Sequence, residues 1–408
     1  MSKVIVELSE LCDVITKGTT PSNIGAEFTE KGIKYIRSEM LTSAKYISDE
    51  GLLYISEETH KKLKRSQLKP GDILFSMAGV YLGKTAILRE CDTPANTNQA
   101  VALIRIIDEK CNREYVYYYL NLPEVVKSVN SITGQSAQPN INLKQIGNIQ
   151  IMLPERSVQD AVVTILSTYD SLIANNQKQI KLLEEAAQRL YKEWFVDLRF
   201  PGHEITPIID GVPEGWKVDR ADTFFNMSIG KTPPRAEKQW FTDGDKGIPW
   251  ISISDMGNSG TYVFHTTEGL TAEAISKHNV KVVPADTILV SFKLTVGRVS
   301  ITTTSTCTNE AIAHFLIPDS FLREYTYLYL KCFEYDSLGN TSAISKAVNS
   351  KIIKAMPFVM PDPEILQRFH QVGKPILDEI KNKQKTNIYL AEARDRLLPK
   401  LMNGEIEV

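Results

Sequence analysis

The sequence predicts a mixed α/β (α+β) fold built twice in tandem, with two long antiparallel coiled-coil helices joining the copies and a pseudo-two-fold internal repeat. Three observations predict it: a set of paired segments in the same order, a heptad stripe in mid-chain, and a Pro/Gly-rich stretch between the halves. The paired segments begin with KGTTPS (Lys17 to Ser22) and GKTPPR (Gly230 to Arg235). GIKYIRSEM from Gly32 then pairs with GIPWISISDM from Gly247, and LKPGDILFS from Leu68 with VVPADTILVS from Val282. TNQAVALIR from Thr97 pairs with TNEAIAHFL from Thr308, and EYVYYYL from Glu114 with EYTYLYL from Glu324. INLKQIGNIQIMLPE, ending at Glu155, pairs with VNSKIIKAMPFVMPD, ending at Asp362. The offset drifts from 215 residues at Gly32/Gly247 to 207 at Pro154/Pro361, as small loop-length changes in a tandem duplication produce.

Each half reads as short β-rich runs (33–36, 72–75, 101–107 and their counterparts) bounded by Gly, Pro and Asn, followed by a helix at 114–120 or 324–330. The tyrosine-rich YVYYYL helix is expected to face the core. A heptad stripe then runs from Val162 to Trp194 through Leu166, Tyr169, Ile173, Asn176, Ile180, Leu183, Ala187 and Leu190. That spacing keeps one face of a helix against a partner over roughly 48 Å. Ser157 with Asp160 reads as its capping box. After Asp362-Pro363, an N-cap followed by proline at the first helical position, a second stripe places Ile376, Ile380, Leu390, Leu397 and Leu401 opposite Tyr169, Ile173, Leu183, Leu190 and Trp194. Lys383, Asn387 and Arg394 interrupt this second stripe, Pro375 is expected in or near its first turns, and Asn403-Gly404 is a plausible stop. The expected segments are 1–155, a central helix 156–197, a linker 198–217, a second globular segment 218–362 and a C-terminal helix 363–408. Two helices separated by a whole domain pack antiparallel only if the chain doubles back, which predicts two half-sites held a fixed distance apart.

Hydrophobic content of 42% and charged content of 24% are those of an ordinary soluble protein, and 408 residues suffice for two to three domains. No apolar run reaches the ~20 residues of a membrane span, and MSKVIVELSE lacks a signal-peptide core, so no membrane partner and a cytoplasmic location are expected. Cys12, Cys91, Cys111, Cys307 and Cys332 show no metal spacing and are expected as reduced, buried thiols. Net charge is −2, which argues against a uniformly basic surface while leaving room for local basic patches.

The candidate binding residues lie on loops. Lys17, Thr19, Thr20, Lys231, Thr232 and Arg235 set cations and hydroxyls on Gly/Pro-stiffened turns, suited to phosphates and base edges. Lys61, Lys62, Lys64 and Arg65 in HKKLKRSQLK form the most basic run, which either tracks a nucleic-acid backbone or is a solvated helix face. Gln135, Ser136 and Gln138 in ITGQSAQPN, with Thr341 and Ser342 in the matching loop, are candidates for base reading. AGVYLGKT (Ala78 to Thr85) is one residue short of a P-loop, its first glycine replaced by Ala78, and the matching KLTVGRVS has Val299 where Ser or Thr is required. Its Lys84, with Lys293 and Arg298 in the second half, suits a turn offering cations to a phosphate; an ATP-binding loop at 78–85, a plain hairpin turn and a coiled-coil scaffold without DNA contact remain the rivals. Catalytic patterns are lacking: the six histidines show no metal-ligand spacing, and there is no G-x-G-x-x-G and no amino-methyltransferase or nuclease signature.

Together the duplicated KGTTPS/GKTPPR opening, the GDILFSMAGVYLGKTAIL stretch, LLEEAAQRLYKEWFVDLRF and GVPEGWK make the whole chain resemble the specificity (S) subunit of type I restriction–modification enzymes. The resemblance implies two target-recognition domains reading the two halves of a bipartite, asymmetric sequence in double-stranded DNA. It further implies an antiparallel helical spacer that docks two methyltransferase subunits, with nuclease/translocase subunits around that core. No catalytic residue, metal or cofactor is then expected in this chain, since S-adenosylmethionine, ATP and Mg would serve the partner subunits. On this reading the stripe residues Leu166, Ile173, Asn176, Ile180, Leu183, Leu190, Ile376, Ile380, Leu390, Leu397 and Leu401 belong to the spacer.

Overall fold

The computed structural model describes residues 4–42, 44–49, 51–132, 139–338 and 348–408. The chain divides into two units, Met1–Ile173 with Tyr389–Val408, and Ala174–Ile388. Each unit contains one globular half and part of both long helices, Arg156–Tyr191 and Pro363–Asn403.

In the first unit the main sheet is antiparallel, in the order Cys12–Lys17, Val101–Ile106, Ile73–Ser76, Thr85–Ile87. A smaller sheet orders Leu53–Ile55, Ile33–Ile36, Ala95–Thr97 and Gln67–Leu68, and Val4–Glu7 pairs with Gln150–Leu153. Ile73, Phe75, Ala102 and Ile104 turn one face of the main sheet onto the helix Arg113–Leu120, whose Tyr115, Val116, Tyr117, Tyr118 and Leu120 are buried as the sequence predicts. Val162 and Leu166 of the first long helix and Leu398, Leu401 and Met402 of the second close the same core.

The second unit repeats this order: Asn226–Ile229, Ile312–Leu316, Ile288–Ser291 and Val299–Thr302, with Tyr262–Val263 added in parallel at the edge. Its core gathers Tyr325, Tyr327, Leu328 and Leu330 with Ala187, Tyr191, Leu366, Phe369, Leu377 and Ile380. Here the helices run antiparallel. Asn176 Nδ2 donates to Asn387 Oδ1 at 2.9 Å, and the Trp194 and Phe369 rings meet at 5.5 Å, so moving 18 residues up one helix (194 − 176) moves 18 down the other (387 − 369).

All ten residues of the first stripe are buried or half-buried. On the second helix Ile380 and Leu401 are buried and Ile376, Leu390 and Leu397 half-buried, with Leu377 and Leu398 carrying more of the burial than their neighbours. The polar interruptions each find a partner: Asn387 takes Asn176, Arg394 donates to Asp170 in the first unit at 2.6 Å, and Lys383 pairs with Glu379 at 3.0 Å.

Three local expectations are corrected, and the stretch expected as a linker is packed rather than bare. The first long helix begins at Arg156, so Ser157 lies inside its first turn, and Asp160 pairs instead with Arg156 and Asn112. Asp362 caps the second helix through Glu364 N at 2.8 Å, but Pro375 lies well past its first turns; the carbonyl it deprives of a helical donor is that of Gln371, an exposed residue. The 198–217 stretch packs down, with Phe200 and Trp216 buried and in ring contact at 5.4 Å, because its aromatics outweigh its Pro/Gly content. Cys111 and Cys307 are buried and free, whereas Cys91 and Cys332 are exposed.

Candidate nucleic-acid interface

In each unit the glycine-led loop after the first sheet strand is pressed against the turn that enters the neighbouring strand. Gly18 N donates to Val101 O at 3.3 Å and Thr19 N to Thr97 O at 3.0 Å. A Cβ on Gly18 would stand 2.0 Å from Thr97 O, so glycine is required there. The second unit repeats the contact: Gly230 N reaches Ile312 O at 3.1 Å, Lys231 N reaches Thr308 O at 2.9 Å, and a Cβ on Gly230 would stand 2.1 Å from Asn309 O.

A buried aromatic donor pins each loop from below. The Tyr35 hydroxyl donates to Thr19 O at 3.1 Å, and Trp250 Nε1 donates to Lys231 O at 3.3 Å. These are the matched aromatics of the IKYI and IPWI strands. Burial pushes the Tyr35 phenol up to about 12, against weaker pulls from Thr20 and Arg37, so it remains a donor at neutral pH.

The facing turn presents one side chain. Asn98 Oδ1 accepts from Ala100 N and Asn309 Oδ1 from Ala311 N, both at 3.1 Å, which leaves the residue between them pointing outward. That residue is Gln99 in the first unit and Glu310 in the second, both exposed. The Thr20 hydroxyl donates to Gln99 Oε1, and the Thr232 hydroxyl to Glu310 Oε2. Gln99 borders a cleft of about 400 Å³ with Lys17, Met77, Asn140, Asn142 and Lys144. Partial burial is the largest influence on the Glu310 carboxyl and pushes its pKa up. The Thr232 hydroxyl, its own backbone amide, Lys293 and Arg235 together hold it below the usual carboxylate range. The two sites share a frame and differ in chemistry, an amide in one and a carboxylate in the other.

The remaining candidates fall into groups. Lys17, Thr19 and Thr20 gather around Gln99, and Arg65 joins them by donating to Thr19 Oγ1 at 3.3 Å. Lys61, Lys62 and Lys64 are exposed beside them in sequence, with Lys62 paired to Glu58 at 2.6 Å. Lys231, Thr232, Arg235 and Lys293 gather around Glu310, but Arg235 is also held by Glu268 at 2.7 Å and lies over the Phe241 and Trp250 rings at 4.4 and 4.5 Å. Lys84 is exposed yet lines a different cavity, with Asn121, Arg394 and Asp395. Arg298 donates to Ile253 O at 2.7 Å and packs on Gly257, so much of its donor capacity is spent inside the fold. Gln135, Ser136, Gln138, Thr341 and Ser342 lie outside the described residues.

A P-loop at 78–85 is not formed. Lys84 leads into the strand Thr85–Ile87, paired antiparallel with Ile73–Phe75, where a phosphate loop needs a helix N-terminus. Among the described residues no cluster of His, Cys, Asp and Glu is placed to hold a metal ion, and no helix is long and apolar enough to cross a membrane. Sequence reasoning passed over Gln99 and Glu310, although the TNQA/TNEA pair held the signal: two matched motifs differing at the one outward position.

A family profile described as "Type I restriction modification DNA specificity domain" matches residues 2–185 and 213–389. The chain is 26% identical over 410 residues to the type I restriction enzyme MjaIX specificity subunit of Methanocaldococcus jannaschii, covering 97% of this chain and 91% of that one. It is 24% identical to the HindI specificity subunit of Haemophilus influenzae, over 84% of this chain and 88% of that protein. The crystal structure of a type I restriction–modification S subunit from M. genitalium shares the fold, with a TM-score of 0.55 at 14% identity, over 98% of this chain and 96% of that one. With two matched segments that together span most of its length, the chain belongs to the family of type I restriction–modification DNA specificity domains.

Proposed function

We propose that this chain is the non-catalytic DNA-recognition subunit of a type I restriction–modification complex and reads a bipartite, asymmetric target. Residues 1–155 read one half and residues 218–362 the other, with 198–217 as the linker. The helical segments 156–197 and 363–408 dock two methyltransferase subunits, through which nuclease/translocase subunits join, in the cytoplasm.

The single observation that carries this reading is the matched pair Thr20–Gln99 and Thr232–Glu310. A glutamine amide suits the N6/N7 edge of adenine, and a carboxylate accepts from the N4 amino group of cytosine. A carboxylate among phosphates is repelled unless it takes such a donor, and Lys293 and Arg235 offset its charge. Different side chains on equal frames support two half-sites of different sequence.

Exchanging residues 1–155 for the same segment of a related subunit and sequencing the methylome is the test. One half of the methylated motif should change; a change in both halves, or in neither, overturns the proposal. Within the first half, Gln99→Ala is expected to relax the choice at one base pair by roughly 5- to 150-fold, the equivalent of about 1–3 kcal/mol. Methylation rates on substrates substituted at each position would show it.

A further inference from the structure

Beside each recognition turn stands a loop whose root is polar and fixed and whose tip is apolar and bare. In the first unit Ser76 N donates to Lys84 O at 2.8 Å and Gly83 N to Ser76 O at 3.0 Å. In the second, Ser291 N donates to Arg298 O at 2.9 Å and Gly297 N to Ser291 O at 2.9 Å, while Ser291 Oγ closes on Thr295 O at 2.5 Å. Both loops adjoin the sites described above: Met77 lines the Gln99 cleft, and Lys293 acts on Glu310. At the tips Val80 is 90% exposed and Leu294 85%.

Single exposed aliphatic residues are ordinary on a protein surface. These two stand apart because they recur on matched loops and because of the backbone at Leu294. Counted from the paired serines, Leu294 occupies the place of Gly79, and both are left-handed, at φ 61° and 66°. A branched side chain is disfavoured in that conformation, and here it gains no burial in return. Folding gives no reason for leucine at this position.

We propose that Val80 and Leu294 are apolar wedges, each entering the stack between adjacent base pairs of its half-site, unstacking that step and bending the duplex. Aliphatic side chains do this in minor-groove architectural proteins, and sequences that unstack readily are then selected at positions no polar group touches. Loops fixed at their roots deliver the side chain without an ordering cost. The proposal rests on the DNA-recognition reading and adds a contact that its polar side chains do not provide.

The test uses the full chain with its methyltransferase subunits and duplexes carrying the methylated motif, with 2-aminopurine placed at each position of both half-sites in turn. Wild type should show a several-fold fluorescence rise at one step per half-site besides the methylated base, which a methyltransferase itself turns out of the stack. Leu294→Gly, which suits the left-handed backbone and should fold at least as well, is expected to abolish the rise in one half only and to weaken binding about 10-fold. Val80→Ser should do the same in the other half. Selective binding by wild type without a rise at any step besides the methylated base overturns the wedge and leaves recognition standing. Absence of selective binding by wild type overturns the recognition reading itself. If Leu294→Gly leaves DNA binding and fluorescence intact but weakens assembly with the methyltransferase subunits in the absence of DNA, the tip is a protein contact and the proposal fails.

Discussion

Asp170→Ala is expected to destabilise the first unit by about 3 kcal/mol, the low end of the range for breaking a buried ion pair. The Asp170 side chain is 3% exposed and accepts from Arg394 Nη1 at 2.6 Å and from the Tyr118 hydroxyl, with Lys45 Nζ at 3.9 Å. Burial, then the Asp170 charge, pushes the Tyr118 phenol far above its ordinary range, so it remains a donor. Without the carboxylate, Arg394 keeps, among the described residues, only exposed Asp395, and Lys45, itself 1% exposed, keeps Glu114 at 2.7 Å. Those surviving partners place the effect at the low end. All four tryptophans (Trp194, Trp216, Trp240, Trp250) fall in the second unit, so their fluorescence transition should stay near its wild-type midpoint. Amide exchange over Tyr115–Leu120 should quicken by roughly 100-fold. Asp170→Leu with Arg394→Leu should recover most of the loss, because a buried pair is replaced by apolar volume at little cost. If the single variant exchanges at the wild-type rate, the network contributes nothing measurable.

The same comparison marks where the sequence was legible. Periodic and local signals carried through: the stripe from Val162 to Trp194, the proline start at Pro363, and the order of paired strands all follow from patterns a few residues long. The KGTTPS and GKTPPR loops stood out because glycine and proline fix a backbone in place. What they hold was hidden, since Thr20 meets Gln99 and Thr232 meets Glu310 across 79 and 78 residues of chain. Basic residues could not be told apart for a related reason. Arg235 and Arg298 look alike as loop cations, yet one lies against Glu268 and two rings while the other is tied to Ile253 O. Even the repeat conceals a change of partner: Glu114 and Glu324 are matched, but the first meets Lys45 and the second, fully buried, meets Arg323 and His370.

Acid should strike the second unit through His314. This imidazole is wholly buried, with Nδ1 at 2.7 Å from Ser228 Oγ and Nε2 at 2.8 Å from Thr308 Oγ1. Desolvation lowers its pKa from 6.5 to about 4. A histidine depressed in the folded state binds more protons when unfolded between those two values, so stability is full above pH 6.5 and falls as pH drops toward 4. The slope is about 1.4 kcal/mol per pH unit and the total roughly 3 kcal/mol. Tryptophan-detected urea midpoints between pH 4 and 8 give the total dependence. Subtracting the curve for His314→Gln, which cannot titrate, removes the contribution of surface carboxylates. A difference curve flat across that range would sink the assignment. The consequence reaches the recognition site, because Thr308 both bonds His314 and forms the wall on which Gly230 is pressed. Protonation that displaces Thr308 releases the loop carrying Lys231 and Thr232 before the unit unfolds. Selectivity in the half of the target proposed for the second unit should therefore fade at a higher pH than the fold itself, while the other half, whose unit has leucine at the matching position, Leu103 facing Thr16, keeps its choice.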